Sequence, residues 1–108
     1  MGNIYYDPQA FGLEVVGEFE WTEPCWSFDT LAVWKQKRGQ YWIGQDAGCS
    51  CPSPFEDVTD INELDGPYDK AGLRKRLDWL INDRVENGYG CYPKAQLRKY
   101  ASEILSRI

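Results

Sequence analysis

Three consecutive stretches decide the fold: Trp26-Ser27-Phe28-Asp29-Thr30-Leu31-Ala32-Val33-Trp34-Lys35, then Gln36-Lys37-Arg38-Gly39-Gln40, then Tyr41-Trp42-Ile43-Gly44-Gln45-Asp46-Ala47. Aromatic and β-branched residues flank a short polar segment, and Gly39 supplies the positive φ that a tight turn needs. The pattern predicts two antiparallel strands, about 26–35 and 41–47, joined by a hairpin. With Arg38 at the turn centre, Trp34 pairs with Trp42, Thr30 with Asp46, Ser27 with Cys49 and Cys25 with Cys51. Trp26, Phe28, Thr30, Ala32 and Trp34 then share one side of their strand.

Toward the N-terminus, Leu13-Glu14-Val15-Val16-Gly17-Glu18-Phe19-Glu20-Trp21 alternates. A half-buried strand over about 13–21 follows, with Leu13, Val15, Phe19 and Trp21 on one face and Glu14, Glu18 and Glu20 in a row on the other. Thr22-Glu23-Pro24 ends it. Toward the C-terminus, residues 48–68 read as loop, with Pro52, Pro54 and Pro67 and one helical turn within Val58 to Leu64, capped by Asp57 or Thr59. Leu73, Leu77, Leu80, Ile81 and Arg84 recur at helical spacing, as do Leu97, Ala101, Ile104, Leu105 and Ile108. They predict helices over about 69–86 and 93–107, the second with Pro93 at its first position. Each strand has one apolar face and each helix one apolar stripe. The expected architecture is therefore α+β: a three-stranded antiparallel meander with two C-terminal helices across one face, in a single domain over residues 1–108.

The 108 residues include five Trp, seven Tyr and four Phe, enough for an aromatic core. There is no histidine. Its absence removes Ser-His-Asp and Cys-His catalysis and the usual near-neutral proton carrier, and no phosphate-binding glycine loop is present, so the expectation is a protein that is not an enzyme. The net charge of −5 conceals a polarity: residues 1–66 hold twelve acids and three bases, and residues 67–108 nine bases and five acids. No stretch has the apolar length of a membrane span, and Met1-Gly2-Asn3-Ile4-Tyr5-Tyr6-Asp7-Pro8 has neither the basic nor the apolar part of a leader, so the cytoplasm is the expected location.

The hairpin register brings Cys25 to Cys49 and Cys51, and Cys91 before the last helix completes a set of four thiols. Three readings stand open: buried small apolar side chains, a structural zinc held by Cys25, Cys49, Cys51 and Cys91, or a disulfide from Cys25. One residue between Cys49 and Cys51 is tighter than the usual zinc knuckle. Asp46, Glu56 and Asp57 nearby favour the neutral thiol over a nucleophilic thiolate. Asp46, Glu56, Asp57 and Asp60 also form a weak candidate for a hard-cation site, against a plain reading as solvated loop acids and helix caps. The basic clusters Lys70, Arg74, Lys75 and Arg76, and Lys94, Arg98 and Lys99, suit either a phosphate footprint or a solvated helix face with Arg74–Asp78 pairing.

Gly17, Phe28-Asp29, Val33-Trp34, Tyr41-Trp42 and above all Cys49-Ser50-Cys51-Pro52-Ser53-Pro54-Phe55-Glu56 give the chain a likeness over roughly residues 11–65. It resembles a family of small proteins of unknown function encoded by actinobacteriophages and some actinobacterial genomes. The resemblance implies a phage-encoded accessory protein in the host cytoplasm and brings no catalytic residue. The leading expectation is binding to a host or phage protein, with Ser50, Pro52, Ser53, Pro54, Phe55 and Glu56 as the candidate interaction loop. Exposed aromatics among Tyr5, Tyr6, Trp26, Phe55, Tyr89 and Tyr92 would be its anchors. Two alternatives accompany it: an acidic DNA mimic or anti-defence inhibitor using Glu14, Glu18 and Glu20, and a nucleic-acid or nucleotide binder using the basic helices. No cofactor beyond a structural zinc is expected.

Overall fold

The structure, a computed structural model, describes residues 4–23, 27–36, 39–49, 55, 58, 60–88 and 90–108, with Cys49 described in its backbone only. The central hairpin, β2 (Ser27–Gln36) and β3 (Gln40–Cys49), has the expected register: Trp34 opposite Trp42, Thr30 opposite Asp46, Ser27 opposite Cys49. Gly39 turns it with φ 72°. The expected Cys25–Cys51 pair lies outside the described residues. β1 (Leu13–Glu20) flanks β2 on the far side from β3, antiparallel.

The sheet has a fourth strand that the sequence reading places in a loop. β4 (Asp65–Tyr68) pairs antiparallel with β3, Tyr41 opposite Tyr68 and Ile43 opposite Asp65, giving the order β1-β2-β3-β4. Asp65-Gly66-Pro67-Tyr68 has no apolar alternation, and its Gly66–Pro67 peptide is cis. Such a segment carries no strand signal of its own; pairing with β3 supplies its conformation.

β1 also corrects the predicted faces. Its register against β2 shifts between Val15 and Gly17, so Val16 is an extra residue. A bulge of this kind reverses the alternation beyond it. Leu13 and Val15 pack with Trp34 on one side of the sheet, whereas Phe19 and Trp21 pack with Leu31 and Val33 on the other. The acids divide likewise. Glu18 and Glu20 stand opposite Ala32 and Thr30, but Glu14 stands opposite Lys35, on the other face. The predicted single row of Glu14, Glu18 and Glu20 does not exist.

Both faces of the sheet are covered, not one. α1 (Lys70–Asn87) and α2 (Lys94–Leu105) pack Leu73, Leu77, Ile81, Leu97, Ala101 and Ile104 on the side of Phe19, Trp21, Leu31, Val33, Tyr41 and Ile43. The stripes are those read from the sequence. Asp69 caps α1 by accepting from the Gly72 N–H at 2.6 Å. Pro93 is the N-cap of α2 rather than its first helical residue. The Tyr92 N–H donates to the Trp21 carbonyl at 2.8 Å and ties the start of α2 to the end of β1. Gly17 lets α2 lie directly on the sheet, since a Cβ there would come within 2.8 Å of Ile104 Cγ1. The Arg84 guanidinium pairs with Asp29 and lies 5.2 Å from the Trp21 ring, closing this face at its polar end.

The opposite face is covered by irregular chain. Ile4 and Phe11, around the 3-10 turn Pro8–Phe11, join Phe55, Val58, Ile61 and Leu64 over Ala32, Trp34 and Trp42. A second 3-10 turn, Ile61–Glu63, is capped by Asp60 in a capping box with Glu63, where the sequence suggested Asp57 or Thr59. Leu31, Ala32, Val33 and Trp34 are consequently buried in unbroken succession. Among the described residues no helix is long and apolar enough to cross a membrane.

Candidate functional site

Of the candidate loop Ser50, Pro52, Ser53, Pro54, Phe55 and Glu56, only Phe55 is among the described residues, and its ring is used inside the protein. It is 1 % exposed, set edge-on against Trp34 at 5.1 Å and stacked on Tyr5 at 5.7 Å. Its φ of 60° is left-handed, a conformation costing a non-glycine residue about 1–2 kcal/mol. The Asp46 carboxylate holds it there, accepting from the Phe55 N–H at 2.7 Å. Gly44 makes room beneath, because a Cβ would come within 2.7 Å of Trp34 and 3.0 Å of Phe55 and Leu64. Phe55 is therefore a core residue and not one of the exposed anchors.

The acids divide in the same way. Asp46 is committed to Phe55 and Asp60 to a helix cap, while Glu56 and Asp57 lie outside the described residues. Of the four cysteines, Cys91 alone has a described side chain. It is free, half-buried and packed at the edge of the helix-side core. Cys25 and Cys51 lie outside the described residues, so the question of zinc or a disulfide falls there too.

A different constellation forms beside β1. Tyr5, Tyr6, Glu18, Glu20, Phe28 and Thr30, with Phe19 behind, line an open hollow of about 350 Å³. Strand pairing places Glu18 and Glu20 two residues apart on the face that carries Thr30 and Ala32. The N-terminal segment brings its tyrosines over them, Tyr5 and Tyr6 edge-on with centroids 5.0 Å apart. The Tyr5 hydroxyl donates to Glu18, and the buried Thr30 hydroxyl donates to Glu20 at 2.5 Å. Burial, the hydrogen bond to Glu18 and the charge of Glu18 all push the Tyr5 phenol above its ordinary value. Tyr6 is 64 % exposed at the mouth. Carboxylates and aromatic rings are the groups that recognise cations, the rings through their negative faces and the acids as charge partners.

The basic residues occupy the far side of the molecule. Lys70, Arg74, Lys75 and Arg98 line a trough of about 630 Å³ between α1 and α2. Asp78 pairs with Arg98 across it at 3.4 Å, instead of with Arg74 along its own helix. Arg76 turns away and binds Asp65 at 2.7 Å, which pushes the guanidinium up and joins α1 to β4. The sequence groups these cations into one cluster per helix and leaves their role open. It named Tyr5 and Tyr6 only as spare aromatics, since nothing in the chain links them to Glu18 and Glu20 until the N-terminal segment crosses the sheet.

An antiparallel sheet between an α-hairpin and a layer of irregular chain, with an open hollow on each side, defines a small α+β protein. The chain belongs to the family described as Domain of unknown function (DUF7574), whose model matches residues 2–104. No curated protein and no solved structure matches it.

Proposed function

We propose that the protein is a phage-encoded accessory protein of the host cytoplasm that acts, without catalysis, by binding a host or phage protein. We further propose that a lysine or arginine of that partner seats in the hollow beside β1. The observation that carries the reading is the convergence of Glu18, Glu20, Tyr5, Tyr6 and Phe28 on one open cavity. A long cationic side chain fits such a cavity because its stem lies on the rings while its head meets the carboxylates. The aromatic and charged lining is also of the kind that anchors protein interfaces. The likeness to actinobacteriophage proteins over residues 11–65 supports the setting. The acidic-mimic alternative loses its premise with the divided row of glutamates, since two acids on one face and one on the other do not copy a phosphate strand.

The test is an NMR titration with acetyl-arginine methylamide and its uncharged citrulline analogue. The arginine compound is expected to shift the resonances of Tyr6, Glu18, Glu20 and Phe28, and the Glu18→Gln/Glu20→Gln variant to lose that response. Equal shifts with citrulline, or none at these residues, would overturn the reading.

A further inference from the structure

We infer that the trough between α1 and α2 is a second docking site, and that it takes an acidic amphipathic helix of a partner protein. Four observations lead there. Among the described residues the rim is cationic: Lys70, Arg74 and Lys75 from α1 and Arg98 from α2, against one acid, Asp78, already paired with Arg98. The floor is apolar, formed by Leu77, Ile81, Ala101 and Leu105. Val85, 40 % exposed, continues the Lys70-Arg74-Asp78-Ile81 stripe at the C-terminal end of α1. The walls are two helices consecutive in the chain, and a furrow between two helices is a surface on which a third helix can pack.

The spacing suits that occupant. Lys70 and Arg74 are one turn apart, about 6 Å along the helix axis. Acids four residues apart on a facing helix repeat at the same interval, with apolar side chains between them to meet Leu105 and Val85. A nucleic-acid strand fits less well. Among the described residues no aromatic ring lines the trough for base stacking. A long polyanion would also run on over a protein of net charge −5, whereas a helical segment ends with the furrow. The trough lies on the outer side of the helix layer and the hollow beside β1 on the opposite side of the sheet. The two sites are therefore independent, and a protein with both would bridge two partners or two parts of one.

The probe is a synthetic helix-forming peptide with Glu at every fourth position and Leu between, set against the same peptide with Gln for Glu. Binding is read by fluorescence anisotropy and mapped by NMR. The acidic peptide is expected to shift resonances of Arg74, Arg98, Ser102 and Leu105, and to bind more weakly as salt is raised. Lys70→Glu/Arg74→Glu, two exposed substitutions whose fold is checked by circular dichroism, should weaken it by about tenfold or more. Glu18→Gln/Glu20→Gln should leave it unchanged, so failure at this site is distinguishable from failure at the hollow. The inference is overturned if the Gln peptide binds equally or if the double reversal has no effect. It is equally overturned if inorganic phosphate or an oligonucleotide shifts these residues and the acidic peptide does not.

Discussion

The two faces of the sheet are covered by different means. On the helix side, burial is spread over six aliphatic positions of α1 and α2, and each helix carries its own backbone hydrogen bonds. On the other side, Ile4–Phe11, Phe55, Val58 and Asp60–Leu64 form no long helix or strand, and among the described residues three fastenings stand out. They are the Trp34 indole donating to the Ile4 carbonyl at 3.0 Å, Asp46 accepting from Phe55, and the Phe55 ring between Trp34 and Tyr5. One cover is a sum of similar terms and the other hangs on single contacts. The hollow belongs to the second cover, since Tyr5 stacks on Phe55 and bonds to Glu18.

The sharpest way to break this contrast is to empty one position on each side. Phe55→Ala is expected to cost about 4 kcal/mol and Leu77→Ala about 3 kcal/mol in urea unfolding, as large-to-small changes at fully buried sites do. Their distribution should differ. Native-state hydrogen exchange of Phe55→Ala should lose protection first at Tyr5–Phe11 and Ile61–Leu64, whereas Leu77→Ala should lower α1, α2 and the sheet together. Equal loss over α1 and α2 in both variants would mean that the two covers form one cooperative unit. Phe55→Gly should recover about 1 kcal/mol relative to Phe55→Ala, because glycine accepts the left-handed backbone without strain.

The helix side was legible in the sequence for the same reason that it is additive. Leu73, Leu77 and Ile81, and Leu97, Ala101 and Ile104, repeat with the helical period, so pattern alone locates the face. The β2–β3 register followed from one turn, because a hairpin fixes every pair once its centre is known. The other side has no period to read. Ile4, Phe11, Phe55 and Leu64 meet only through contacts distant in sequence, and β4 borrows its conformation from β3. The bulge at Val16 was invisible for a related reason. No break in the alternation marks it, and the neighbour packed against Gly17 beside it, Ile104, lies far along the chain. The hollow inherits this illegibility, since its tyrosines and glutamates come from opposite sides of that boundary.

Smaller changes sharpen the comparison at its polar fastenings. Asp29→Ala should destabilise by about 2 kcal/mol, because it leaves the half-buried Arg84 guanidinium over Trp21 without its carboxylate. The midpoint of urea unfolding should fall with its slope unchanged. Removing the caps, Asp69→Ala on the helix side and Asp60→Ala on the loop side, should cost about 1 kcal/mol each. Asp69→Ala should fray the first turn of α1 and reduce far-ultraviolet ellipticity. Asp60→Ala should leave ellipticity unchanged while raising exchange at Asn62 and Glu63. An equal loss of ellipticity in both would show that the loop side supports the helices after all.

The smallest effect at neutral pH belongs to Tyr5→Phe, which deletes one exposed hydrogen bond to Glu18 and should cost below about 1 kcal/mol. Its signature lies in alkali. The folded Tyr5 phenol is raised above the ordinary 10.0, first by burial and then by Glu18, so the native protein holds that proton more tightly than the unfolded chain does. The associated stability is fully present below pH 10 and is lost as pH climbs beyond it, because only the unfolded state then gains by ionising. Tyr68, raised by burial and by Asp65, adds loss of the same sign, but it is common to both proteins and cancels in their difference. Urea midpoints measured from pH 8 upward should therefore fall more steeply above pH 10 in the wild type than in Tyr5→Phe. Parallel curves would mean that in solution the Tyr5 hydroxyl is neither buried nor held by Glu18, and that the N-terminal segment does not close the hollow.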